Sequence, residues 1–88
     1  MIPISYDVFV FKEGNVYVAY CPELDISSGG LTIGSAKAML KEAVRLFIEE
    51  AENMGTLEDI LEESNYVKDK RGRWVPPELV ATELVSIM

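Results

Sequence analysis

The chain contains no histidine and a single cysteine, Cys21, in 88 residues. Without histidine, every nucleophilic site that relies on imidazole as its base is excluded. A lysine-based variant has no motif behind it here. One cysteine cannot form an intramolecular disulfide, and a zinc site would need several carboxylates in place of imidazoles. Cys21 therefore reads as a small buried hydrophobe. No apolar run approaches the ~18–20 residues of a membrane span. The start, MIPISYDV, has neither the basic n-region nor the apolar h-region of a signal peptide. The expectation is a reducing, cytoplasmic setting with no membrane contact.

Bases are scarce as well. Eight Lys and Arg stand against fifteen Asp and Glu, for a formal charge of -7. Nucleic-acid binders draw affinity from basic patches that neutralise phosphate, and here the balance runs the other way. An acidic body suits a basic protein partner. Acidity also serves solubility alone, so charge names a partner class and nothing more. Hydrophobic residues make up 49% of the chain, which fits one globular domain and argues against disorder. That share is generous for so small a body and implies apolar surface facing a partner or a second copy.

The chain is organised around Val16 to Met54. Ile4 to Phe11, ISYDVFVF, is rich in β-branched and aromatic residues and predicts a first strand. Its uniformly apolar face, Ile4, Tyr6, Val8 and Val10, should pack on a helix. Lys12 to Asn15 is a polar turn, and Val16 to Tyr20 is the return strand. Pro22 ends that strand. Ile26 to Ser28 predicts a third strand, and Gly29-Gly30 a turn out of it. Thr32 is the expected N-cap of a long helix. Ser35 stands where a capping-box Glu or Gln would help, so a weak helix start is expected. Ala36, Leu40, Ala43, Phe47, Ala51 and Met54 recur at helical spacing, widened by Val44 and Ile48. Bases lead and acids follow along this helix, the reverse of what the helix dipole favours.

Gly55 closes the helix as a left-handed C′ residue. Thr56 is the expected cap of a short second helix, with Asp59 at the capping-box position and Asn65 at its end. Tyr66-Val67 and Trp74-Val75 flank a polar run and predict a second hairpin. Pro76-Pro77 block helix and ladder alike. Leu79 to Ile87, LVATELVSI, predicts a terminal strand, apolar on much of both faces. Such an edge invites pairing, and a second copy meeting it through Val80, Thr82 and Leu84 would remove the hazard.

Several residues merit a chemical reading. Asp7, Glu23 and Asp25 at one end of the sheet would resemble a Mg²⁺ site for phosphodiester cleavage, but no spacing is diagnostic and solvated turn residues account for them. Gly29-Gly30 between strand and helix matches neither phosphate-loop fingerprint. Lys68, Lys70, Arg71 and Arg73 beside Trp74 form a basic tip that Asp69 interrupts, which reads as a solvated hairpin with Trp74 packed behind it. The acids from Glu49 to Glu63 form either a solvated face or a docking surface for a basic partner. No catalytic residue, metal or cofactor is expected.

Tyr17 to Leu24, YVAYCPEL, then Ser28 to Gly30, Thr32 and the Ala-rich helix resemble the HicB-like antitoxin family. The resemblance covers about residues 4 to 64. It departs at Leu31, Gly34 and Ser35, where members carry an Asp before the Thr and acids in the first helical turn. It implies a degenerate ribonuclease H-like fold that lacks that fold's metal-binding acids. It also implies binding to a HicA toxin, a small basic RNA-cleaving protein whose active surface the antitoxin occludes. The 24 residues after Ser64 hold two prolines and leave room for strands, not for a helix-turn-helix. Direct DNA binding is therefore not expected.

The expected fold is α+β in one domain spanning 1–88, with a core at 4–64 and an extension at 65–88. A three-stranded antiparallel meander carries a long helix, a short helix follows, and C-terminal strands pair at an edge or across a homodimer or higher homo-oligomer. The expected function is non-enzymatic masking of a HicA-like partner through the edge around Tyr20, Glu23 and Asp25. The alternatives are an orphan homo-oligomeric scaffold or small-ligand binder, and a residual metal-dependent nuclease.

Overall fold

The computed structural model describes residues 3–88. The fold is α+β. Strands β1 (Phe9–Glu13), β2 (Val16–Cys21) and β3 (Ile26–Gly30) form an antiparallel meander in the order β1-β2-β3. Helix α1 (Ile33–Met54) crosses one face of it, and helix α2 (Leu57–Glu63) follows. A hairpin of β4 (Val67–Lys68) and β5 (Trp74–Val75) comes last.

The register explains which side chains meet α1. Val10 pairs with Ala19, and Ala19 with Ser28. Strand side chains alternate between faces, so Val10, Tyr17, Ala19, Cys21 and Ile26 share the helix-facing side. Ala19 and Cys21 are wholly buried there. Phe9, Phe11, Val16, Val18 and Tyr20 share the outer side, which carries no helix among the described residues. Of the four residues expected to face the helix, Ile4, Tyr6 and Val10 pack against the core, whereas Val8 is exposed.

The sheet does not begin at Ile4. Ile4 makes a lone parallel bridge to Trp74, where the Ser5 N–H donates to the Trp74 carbonyl at 3.1 Å and the Trp74 N–H to the Pro3 carbonyl at 3.0 Å. This bridge joins the terminal hairpin to the start of the chain. The Tyr66 hydroxyl tightens it by donating to the Ser5 carbonyl at 2.8 Å.

Gly29 and Gly30 belong to β3 and are not the turn that their pairing suggested. Gly30 lies against the start of α1. A Cβ built on it would stand 2.4 Å from Ser35 Oγ and 2.6 Å from the Ala36 nitrogen. Glycine is there because backbone meets backbone.

The helix start is also stronger than expected. Thr32 Oγ1 accepts from the Ser35 N–H at 2.9 Å, and Ser35 Oγ accepts from the Thr32 N–H at 3.1 Å. Serine therefore completes the reciprocal cap that usually takes Glu or Gln. Gly55, at φ 73°, ends α1 in the left-handed region as predicted. Thr56 departs from expectation. It makes no side-chain cap to α2, and its hydroxyl turns back to the Ala51 carbonyl at 3.5 Å.

The buried line of α1 is Ala36, Leu40, Val44, Ile48 and Ala51. Ala43 and Phe47 are only half-buried, and Met54 is exposed. The contact follows an i,i+4 ridge, which is inclined to the helix axis, and it places the bulkier Val44 and Ile48 over the sheet in preference to Ala43. Leu57 and Leu61 of α2, with Tyr66 and Trp74, close the core.

The terminal strand expected over Leu79 to Ile87 is not formed. Residues 76–88 adopt neither helix nor strand, and residues 79–88 are exposed throughout. A strand needs a partner for its N–H and C=O groups, and the prolines at 76 and 77, which cannot donate to a ladder, follow directly on β5 and end it at Val75.

Candidate functional site

Three residues were expected to form a partner-binding edge. The structure brings two of them together. Asp25 sits in the turn after β2 at φ 54°, a left-handed conformation that Asp tolerates through its short polar side chain. There its Oδ1 accepts from the Tyr20 hydroxyl at 2.9 Å. This exposed bond holds the Tyr20 proton and raises its pKa above the usual phenol range.

Glu23 faces a different task. Both of its carboxylate oxygens accept from the Asp7 backbone N–H, at 3.2 and 3.1 Å. The Cys21 thiol approaches Oε1 at 3.6 Å. Glu23 thus ties the chain entering β1 to the end of β2, satisfying an otherwise orphaned donor. Partial burial, followed by the nearby Asp7 side chain, holds its carboxyl above the ordinary carboxylate range. Burial likewise pushes the Cys21 thiol up to about 11, so it stays protonated and inert at neutral pH. Among the described residues, no group of three Asp, Glu or Cys side chains is placed to hold a metal ion.

Glu23 also lines a shallow groove of ≈ 500 Å³ with Asp7, Phe9, Pro22, Asn65 and Leu79. Asn65, at φ 66°, ends the turn after α2. The groove therefore runs from the Glu23 edge to Ser64 and Asn65 at the end of α2, next in sequence to the last of the acids, Glu62 and Glu63.

That acidic lobe is the feature least visible in a residue-by-residue reading. Between Leu46 and Val67 lie seven acids and no base. The remaining eight acids are matched by all eight bases, so the whole formal charge of -7 belongs to this segment. Glu50, Glu58, Asp59, Glu62 and Glu63 are exposed on it. Glu52, Glu58 and Asp59 rim a hollow of ≈ 310 Å³ between the end of α1 and α2. Arg45 at its border is already engaged, bonding Glu42 and, at 2.6 Å, Glu49. The signal available in sequence was the base-free run itself.

The basic tip is as expected. Asp69 accepts from the Arg71 and Arg73 N–H groups, both at 2.9 Å, and from Arg73 Nε at 2.8 Å. Trp74 is buried behind it, with Lys68 Nζ 5.6 Å from its ring centre. Val80, Thr82 and Leu84, the expected oligomer contacts, are exposed in the single chain. Among the described residues, no helix is long and apolar enough to cross a membrane.

Comparison of the chain with protein-family models, with curated proteins and with solved structures finds no match.

Proposed function

We propose that the chain is a non-enzymatic, HicB-like binding module that masks a small basic RNA-cleaving protein of HicA type. The observation that carries the reading is the segregation of charge. A lobe with seven acids and no base attracts a basic partner over several ångströms and rejects nucleic acid itself. The lobe continues through the groove to Glu23, next to the Tyr20–Asp25 pair. The reversed charge order along α1 then has a reason. Acids at its C-terminal end are unfavourable to an isolated helix, and rules of local stability are most often broken where a surface serves a partner.

The topology also favours the family reading. A meander of three antiparallel strands with a long helix across it is among the elements that the resemblance implies. A second reading, an orphan homo-oligomer, draws on a different observation: the exposed apolar residues of the C-terminal segment.

The test is stoichiometric inhibition. A small basic RNA-cleaving protein from an adjoining reading frame is assayed for RNA cleavage with and without this chain, at low and high salt. Inhibition at low salt that weakens as salt rises is the expected result. Cleavage indifferent to the chain, with no complex at either salt, refutes the masking role.

A further inference from the structure

The outer face of the sheet and the C-terminal segment are both apolar, both uncovered, and both on the same chain. Phe11 is 53% exposed and Val16 39% on a face that also carries Phe9, Val18 and Tyr20. Val80, Leu84 and Ile87 are 85%, 98% and 94% exposed. The segment stands away from the body. The Cα radius of gyration is 14.6 Å, above the ~12 Å of a compact domain this long.

We propose that residues 79–88 form an exchange arm, and that in a two-fold dimer each arm lies across the outer sheet face of the other copy. Three observations support a second copy as the occupant. First, Pro76 and Pro77 follow directly on β5 and neither can donate to a ladder, so the chain leaves the hairpin at Val75 without a strand partner of its own. The chain leaves at a stiff hinge, where Pro77 and Leu79 line a groove with Phe9. Second, the areas suffice. A buried aliphatic side chain removes ~60–120 Å² of apolar surface, so Leu79, Val80, Leu84, Val85 and Ile87 supply ~300–600 Å² per arm. The receiving face contributes about as much again, and reciprocity doubles both. The total of ~1,200–2,400 Å² is that of a specific dimer. Third, the chemistry matches. The receiving face carries Phe9, Phe11, Val16 and Val18 with one acid, Glu13, at its end, and the arm bears one charge, Glu83. A basic partner has the acidic lobe to meet, whereas this face calls for an apolar one. Because each copy brings both halves, the contact is isologous and closes at two.

The proposal is independent of the masking role, and its test needs no partner. Sedimentation equilibrium of the full chain should give twice the chain mass at micromolar concentration. Leu84→Asp and Phe11→Asp should each raise the dimer dissociation constant about 30-fold or more, as loss of a central apolar anchor does. Both positions are exposed in the single chain, so circular dichroism should stay unchanged. In the double variant Leu84→Cys/Phe11→Cys, oxidation should give a covalent dimer. A full chain that stays monomeric, a dimer indifferent to both aspartates, or a disulfide closed within one chain would each overturn the proposal.

Discussion

Gly30→Ala tests the most closely packed of the glycines. The added Cβ would sit 2.4 Å from Ser35 Oγ and 2.6 Å from the Ala36 nitrogen, both inside the distance real Cβ atoms keep. Ser35 Oγ can rotate away, but it then abandons the Thr32 N–H and half of the reciprocal cap. The Ala36 nitrogen cannot rotate away, since it donates to the Thr32 carbonyl at 3.0 Å within the first turn. The start of α1 must therefore move off β3. Overpacking of this kind costs ~1–3 kcal/mol, and impairing the cap adds ~0.5–2 kcal/mol, so a loss of about 2–4 kcal/mol is expected. For a domain of this size that lowers Tm by roughly 8–30 °C. Urea and thermal unfolding followed by circular dichroism measure it. Two neighbouring glycines serve as controls. At Gly29 the new Cβ would meet only the Tyr17 carbonyl oxygen, at 3.7 Å, and at Gly34 it would meet nothing within 4 Å. Gly29→Ala should be nearly neutral, and Gly34→Ala should stabilise by up to ~1 kcal/mol through helix propensity. Equal stability of Gly30→Ala and Gly29→Ala would refute the close-approach account of β3.

Other perturbations probe the core, the closure and the site. Leu40→Ala and Leu61→Ala each empty a wholly buried position and should cost ~2–5 kcal/mol in urea melts. Tyr66→Phe removes the donor to the Ser5 carbonyl and should cost ~0.5–1.5 kcal/mol, with hydrogen exchange at residues 3–7 rising first. Glu23 carries a raised folded-state pKa, so its protonated form is favoured by folding. Its contribution is most favourable below the unfolded pKa and is lost as pH rises through the folded one. Glu23→Gln keeps an acceptor for the Asp7 N–H without the charge, so its stability relative to the parent should improve between pH 4 and 7; an unchanged difference would contradict the assignment.

The meander, the long helix and the second hairpin were legible because each rests on local signals: β-branched alternation, a Thr cap, a left-handed glycine. The misreadings arose where distant backbone decides. Gly29-Gly30 looks like a turn until the helix that returns over Gly30 is known. Thr56 has the chemistry of a cap, yet the Ala51 carbonyl lies closer to hand. Leu79 to Ile87 has strand propensity without a strand to pair with. In the candidate site, Tyr20 and Asp25 are five residues apart and their pairing follows from a tight turn. The Asp7–Glu23 link spans sixteen residues and depends on the register of β1 with β2, which composition does not specify.

The Ile4–Trp74 bridge sets an order of events in folding. Strands β1 to β3 and helix α1 pair with near neighbours in sequence, so their contacts close short loops and form early. The bridge closes a loop of seventy residues and has to wait for the hairpin at the far end. During synthesis, Ile4 and Ser5 are thus made long before the hairpin they pair with. Damage at Ser5, Tyr66 or Trp74 should appear as faster unfolding with an unaltered folding rate. The seam between the two ends of the chain therefore sets how long the native state survives and has little effect on how fast it is reached.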